Sequence, residues 1–141
     1  YLFKNGFTNF YVLDIAPEPL QKLKNRVPDF PVDKLLNEDF FQHKGSYDLI
    51  FEYTFFVALH PAMRGHYAEK IHGLLKPGGR LVGALFNDPM NGLDGPPYGG
   101  TKDEYLKYFE PYFKIEKYEE ANNSIKPREG REIFINFVKK P

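Results

Sequence analysis

The chain has no cysteine and no tryptophan among its 141 residues, and it has no net charge, since 19 lysines and arginines are matched by 19 aspartates and glutamates. Without cysteine there is no disulfide, no thiolate metal site and no cysteine nucleophile, and the composition agrees with a reducing compartment. Charge balance removes the broad field that draws a protein to nucleic acid or to an anionic membrane, so neither is expected as a partner and any ligand must be recognised locally. No apolar run reaches the roughly 18 residues of a membrane span, and no charged-then-apolar leader stands at the start. These absences lead to the expectation of a soluble cytoplasmic protein. What is present is aromatic: 14 phenylalanines and 10 tyrosines in a chain that is 42% hydrophobic. That is enough to build one core, so residues 1–141 are read as a single domain. Aromatics fill cores more often than they line pockets.

Short apolar runs alternate with helical patterns along the chain. NFYVLDI, residues 9–15, reads as a buried strand with Asp14 at its carboxyl end. A helix over Pro17–Val27 follows, with prolines near its start, Glu18 where the helix dipole favours an acid, and Leu20, Leu23 and Val27 at helical spacing. A shorter strand around Val32–Leu36 ends at Asn37, Glu38 and Asp39. SYDLIFEYTFF contains a strand over Tyr47–Glu52, apolar on both faces as central parallel strands are. Between His60 and Lys76, Met63, Tyr67, Ile71, Leu74 and Leu75 give a helix one apolar face, which stops at KPGG. Arg80–Phe86 is a further buried strand. Residues 87–100, rich in glycine and proline, form a long loop of the kind that is usually functional or disordered. Thr101 and Glu104 have the spacing of a capping box at the start of a helix to about Phe109. FKIEKYEEA and REIFINFVKK then close the chain as an antiparallel hairpin.

Strands alternating with helices imply right-handed crossovers and an α/β fold with a mainly parallel sheet, in which ligands bind beyond the carboxyl ends of the strands. Three strands carry acids there: Asp14, Asp39 and Glu52. An acid at such an end can accept both hydroxyls of a ribose, although Asp14 is equally placed to cap the next helix. Asp39 followed by Phe40 can accept from an adenine amino group while the ring or backbone contacts the base, or can be a polar turn beside buried aromatics. Glu52 and Tyr53 can touch a ligand's ammonium or carboxylate, or can simply end a strand at water.

Together these motifs resemble an S-adenosylmethionine-dependent methyltransferase. The run YDLIFEYTFFVALHPAMRGHYAEKIHGLLKPGGRLVGALF, residues 47–86, is similar to the central segment of the thiopurine methyltransferase superfamily, especially its halide and thiol methyltransferases. GPPYGGT and KPREGRE resemble that branch's substrate loop and final hairpin. The resemblance implies a Rossmann-like class I methyltransferase fold and S-adenosyl-L-methionine as cofactor. It assigns Asp14, with Ile15 beside it, to the ribose, Asp39 and Phe40 to the adenine, and Tyr53 and Thr54 to a further cofactor contact. Phe55 and Phe56 become apolar pocket wall, and Pro97 and Tyr98 part of a loop over the acceptor. Arg131 becomes a contact for an anionic acceptor, with Glu129 or Glu132 as its alternative partners.

The family's first strand and glycine-rich loop should precede Asp14 by about twenty residues. YLFKNGF instead reads as the tail of the helix after that loop, so the chain is expected to be the C-terminal two-thirds or so of a longer protein, lacking a central strand and inactive by itself. The implied reaction is an in-line displacement on a small soft nucleophile, which asks for alignment and exclusion of water more than for a strong base. The alternatives are a methyltransferase-like scaffold module without activity and, more distantly, a nicotinamide-dependent oxidoreductase. His60, His66 and His72 are six apart, a net turn of about 240° on a helix, so they cannot share one face. With His43 they are read as surface or capping residues, with no metal site.

Overall fold

The computed structural model describes residues 1–90 and 95–141. They form two compact units, Tyr1–Lys44 and Gly45–Pro141.

The first unit opens with a 3-10 turn, Phe3–Asn5, closed by Gly6 at φ +87°, a backbone conformation open to glycine because it has no Cβ. Strand β1, Val12–Asp14, is shorter than the seven-residue run expected there. Helix α1, Pro17–Arg26, starts with Pro17 where a missing N–H costs nothing and buries Leu20. Its end is held by Lys24, whose Nζ donates to the carbonyls of Pro28 and Phe30 at 2.6 and 2.7 Å. Phe30 is buried, with the rings of Phe3 and Phe10 at 5.2 and 5.3 Å. A 3-10 turn, Val32–Lys34, leads into β2, Leu35–Asn37, which pairs parallel with β1 so that Asp14 lies opposite Asn37.

The second unit contains β3 (Tyr47–Tyr53), α2 (Phe55–Ala58), a 3-10 turn (Pro61–Met63), α3 (Arg64–Leu74), β4 (Leu75–Phe86), α4 (Lys102–Phe109), β5 (Phe113–Glu120) and β6 (Glu132–Lys139). The strand order is β3-β4-β6-β5, with β3 and β4 parallel and the other two pairings antiparallel. The closing hairpin is therefore present and joins the sheet through β6. The one mostly parallel sheet that the alternation implied is realised as a parallel pair in the first unit and a mixed four-stranded sheet in the second. One face of the latter is apolar and packed: Leu81, Leu85, Ile133, Ile135 and Phe137 are buried, as are Tyr67 and Ile71 of α3 and Tyr105 and Phe109 of α4.

Three local expectations are corrected. KPGG does not separate helix from strand as a free turn; β4 begins at Leu75, and pairing with β3 jumps from Tyr47↔Leu75 to Leu49↔Arg80, so the segment is a bulge with Gly78 at φ +73°. β3 is not an apolar strand buried on both faces but the edge of its sheet, and Leu49, Phe51 and Tyr53 are exposed. The helix α2 was not foreseen. Within the loop at 87–100, Asp88 and Gly100 form an isolated antiparallel bridge, and residues 91–94 lie outside the described residues. Thr101 caps α4 by accepting from the Glu104 amide at 3.3 Å, but the Glu104 carboxylate does not return to it; it pairs with Arg64.

β3 and β4 approach so closely at Glu52 and Gly83 that a Cβ at Gly83 would sit 1.8 Å from the Glu52 carbonyl oxygen. Gly83→Ala should therefore destabilise by about 3 kcal/mol, the upper end of typical overpacking costs. Thr101→Ala should cost about 1 kcal/mol as the loss of a single cap. Urea denaturation of the two variants beside the parent checks both values and their order.

Candidate functional site

In the first unit the parallel pair sets Asp14 opposite Asn37 at its carboxyl end, with Asp39 and Phe40 following β2 in sequence. Asp14 and Asn37 are the last residues of β1 and β2, and Asn37 Nδ2 donates to the carbonyls of Asp14 and Ile15 at 3.0 and 2.9 Å. That bond fixes the backbone just where Ile15, 70% exposed, turns outward. Asp14 Oδ1 accepts from the Ala16 amide at 2.9 Å in a local turn just before α1, whose N-cap, Ala16, receives no side-chain cap bond, so Asp14 does not cap the helix; its Oδ2 makes no bond among the described residues. Asp39 is built alike: Oδ1 accepts from the Phe41 amide at 2.8 Å in a tight local turn, leaving the second oxygen without a bond among the described residues. Phe40 stacks edge-on against Phe41 at 5.1 Å. His43, expected at the surface or as a cap, is buried, and its Nδ1 lies 2.6 Å from Glu38.

In the second unit the end of β3 inverts the expected pattern. Tyr53 is 57% exposed, whereas Glu52 is 2% exposed and faces inward. The reading of Glu52 as a ligand contact is corrected: its Oε1 accepts from the amides of Phe55 and Phe56 at 2.9 and 3.0 Å, and its Oε2 accepts from the Tyr67 hydroxyl. Burial raises the Glu52 pKa, with the three hydrogen bonds opposing it; burial and the Glu52 charge push Tyr67 well above its ordinary value. Between Tyr53 and α2, Thr54 adopts φ +69° and ψ −2°, left-handed backbone that costs a β-branched residue on the order of 1 to 3 kcal/mol.

The two phenylalanines after Thr54 part company. Phe55 is 40% exposed and meets the Tyr67 ring at 5.9 Å. Phe56 is fully buried, its ring 5.1 to 5.3 Å from those of Tyr67, Tyr105 and Phe109, so it supports the site from within the core and is not a wall. The loop carrying Pro97 and Tyr98 is tied to α2, because the Tyr98 amide donates to the Val57 carbonyl at 2.8 Å. Arg64, fully buried, holds the same loop by donating to the Gly99 carbonyl. Its guanidinium also lies 5.1 Å from the Phe56 ring centroid and 2.9 Å from Glu104.

Arg131 is engaged elsewhere than the sequence suggested. It pairs with Asp88 at 2.7 Å, not with Glu129 or Glu132; the Met90 amide first, and then this bond, lower the Asp88 pKa. The cation at the tip of β3 is Arg128, which the sequence reading missed. It lies over the rings of Tyr53 and Phe86, 5.2 and 5.1 Å from their centroids, donates to the Tyr53 hydroxyl at 2.5 Å, and pairs with buried Glu132 at 3.3 Å. Its only signal was a second arginine in KPREGRE. No helix among the described residues is long and apolar enough to cross a membrane.

The α/β alternation, together with the likeness to solved structures, gives a Rossmann-like methyltransferase fold of class I. Over 99% of this chain and 64% of its own, the 1,6-didemethyltoxoflavin-N1-methyltransferase of Burkholderia thailandensis superposes with a TM-score of 0.73 at 17% identity; that structure holds S-adenosylhomocysteine. Residues 15–139 match the Thiopurine S-methyltransferase (TPMT) family, and the chain belongs to it. It is 35% identical to Probable thiol methyltransferase 2 of Arabidopsis thaliana and 35% identical to Thiocyanate methyltransferase 1 of Brassica oleracea, in each case over 90% of this chain. The chain spans 58% of the length of each of these relatives.

A carboxyl group with a raised folded-state pKa binds its proton more tightly folded than unfolded. Its contribution to stability is fully present below the ordinary carboxylate value and is lost as pH rises through the raised value. Glu52→Gln, which keeps the shape without titrating, should therefore lose less stability than the parent across that window. Thermal midpoints of both proteins measured from pH 4 upward test this, and superimposable pH profiles would contradict it.

Proposed function

We propose that the full protein transfers a methyl group from S-adenosyl-L-methionine to a small soft nucleophile: a thiol, a thiopurine, a halide or thiocyanate. The observation that carries this reading is the geometry at Asp14. Its strand ends in register with Asn37, one carboxylate oxygen is fixed by the Ala16 amide, and the other is left to accept from a ligand. A ribose hydroxyl is a donor suited to such an oxygen. Asp39, with one oxygen similarly fixed, suits the adenine amino group, and Phe40 beside it the base. The residues present therefore fit the nucleoside part of the cofactor. By the family resemblance, Tyr53 and Thr54, at the end of β3 in the second unit, are assigned to the remainder. Membership of the family, and relatives named for thiol and thiocyanate methylation, support the acceptor class.

The cofactor supplies an electrophilic methyl group on a sulfonium. The chain's own residues supply position and dryness. Phe55 and Tyr98, held on one frame by the Val57–Tyr98 backbone bond, offer apolar and aromatic surface against which an anion loses water, and a desolvated anion is the stronger nucleophile. Arg128 joins Arg131 in the role assigned to it: each is paired with an acid, Arg128 with Glu132 at the longer 3.3 Å and Arg131 with Asp88 at 2.7 Å, and Arg128 is the one that stands at Tyr53, where a cation attracts an anionic acceptor.

Calorimetry of the full-length protein with S-adenosylhomocysteine tests the cofactor assignment. Asp14→Ala should weaken binding by about 1 to 3 kcal/mol, the scale of a hydrogen bond to a charged group. Equal affinity in the variant would refute the ribose assignment. A methylation screen over iodide, thiocyanate, hydrogen sulfide and aromatic thiols identifies the acceptor. In that screen Arg128→Ala should raise KM for thiocyanate about tenfold, as expected for one charge-assisted contact, with a smaller change in S-adenosylhomocysteine affinity.

A further inference from the structure

We infer that Glu52, which touches no ligand, is a positioning residue. From the buried side of β3 it holds the turn at Thr54 in the conformation that presents Tyr53 and Thr54 to the cofactor. The inference rests on the cofactor reading proposed above.

Four observations converge on it. Thr54 occupies left-handed backbone at φ +69° without being glycine, and its own side chain makes no bond that caps α2. Left alone, a β-branched residue abandons that region, so something must hold it there. The four-residue α2 cannot do so, because a helix this short does not offset its own nucleation. Glu52 supplies the hold: one carboxylate oxygen accepts from the first two amides beyond Thr54, at 2.9 and 3.0 Å, closing a ring of bonds around the turn. The other oxygen is tied to the Tyr67 hydroxyl of α3, which anchors the carboxylate to the packed face of the unit. Exposure alternates accordingly, Glu52 inward and Tyr53 outward, so the inner residue sets where the outer one stands.

The opposing explanation is that Glu52, Tyr67 and the two amides are a buried polar cluster that only stabilises the fold. A double-mutant cycle separates the two, because glycine occupies left-handed backbone without the Cβ penalty. If Glu52 holds the Thr54 turn, Thr54→Gly should lessen the dependence on it; if Glu52 only adds stability, the two effects should add.

The test uses full-length protein, S-adenosylhomocysteine affinity by calorimetry, and hydrogen exchange of the Phe55 and Phe56 amides without ligand. Glu52→Leu should weaken binding by about tenfold or more and accelerate exchange at both amides. Glu52→Gln, which keeps an acceptor oxygen, should stay within about threefold of the parent. Thr54→Gly added to Glu52→Leu should recover part of the lost affinity. Thr54→Pro fixes φ near −65°, forbids the turn with Glu52 intact, and should lose binding to a similar degree, which keeps the test open if Glu52→Leu does not fold. A folded Glu52→Leu or Thr54→Pro protein that binds within threefold of the parent overturns the positioning role alone, as does strict additivity in the cycle. A parent protein that binds no S-adenosylhomocysteine overturns the cofactor reading, and this inference with it.

Discussion

A carboxylate withdrawn from water at the end of β3 organises the second unit. Ionised and buried, Glu52 would be costly without donors, and three converge on it from α2 and α3. Those donors determine where the chain can go next. The two amides come from the start of α2, so the strand must turn sharply, and the sharp turn is the left-handed Thr54. The hydroxyl comes from Tyr67, so α3 must pass beneath. The close approach of β4 at Gly83 belongs to the same arrangement, because the Glu52 backbone leaves no room there for a side chain. One buried polar group thus links the strand, the turn, two helices and the neighbouring strand.

Arg64 does for the loop what Glu52 does for the turn. A guanidinium removed from water needs acceptors and aromatic faces, and it finds the Gly99 carbonyl, the Glu104 carboxylate and the rings of Phe56 and Tyr105. It is not perfectly satisfied, since its Nε and the nearby Tyr105 hydroxyl are buried without a hydrogen-bond partner among the described residues. Burial pushes the Tyr105 pKa up to about 12. Because Phe56 and Gly99 share this cation, the segment after β3 and the segment carrying Tyr98 are parts of one construction, although they are some forty residues apart in sequence.

Much of the fold was legible because it follows from periodicity. The helical spacing of Leu20 and Leu23, the Thr101 cap and the turn between two β-rich runs each point to one local structure, and each is found. The acids ending β1 and following β2 were legible for the same reason. The tip of β3 was not. Hydrophobicity alone buries Phe51 and exposes Glu52, yet the structure does the reverse, because specific donors outweigh apolar burial once they surround a carboxylate. Arg64 and Arg128 escaped for a related cause. Their partners, Gly99, Glu104, Tyr53 and Glu132, come from other elements, and no local pattern reveals a long-range pairing. KPGG marked the end of α3 and a positive-φ glycine, both of which are found, but a proline-glycine signal does not say whether the break is a loop or, as here, a bulge within β4.

The outward row on β3 bears on how this polypeptide behaves in solution. Leu49, Phe51 and Tyr53 stand exposed along a strand at the edge of its sheet, where unpaired backbone groups invite a further strand. Natural proteins guard an edge of this kind with charge, with proline or with a covering segment. Lysine at Leu49 or Phe51 would put charge along that row, the device by which natural sheets discourage pairing with another chain.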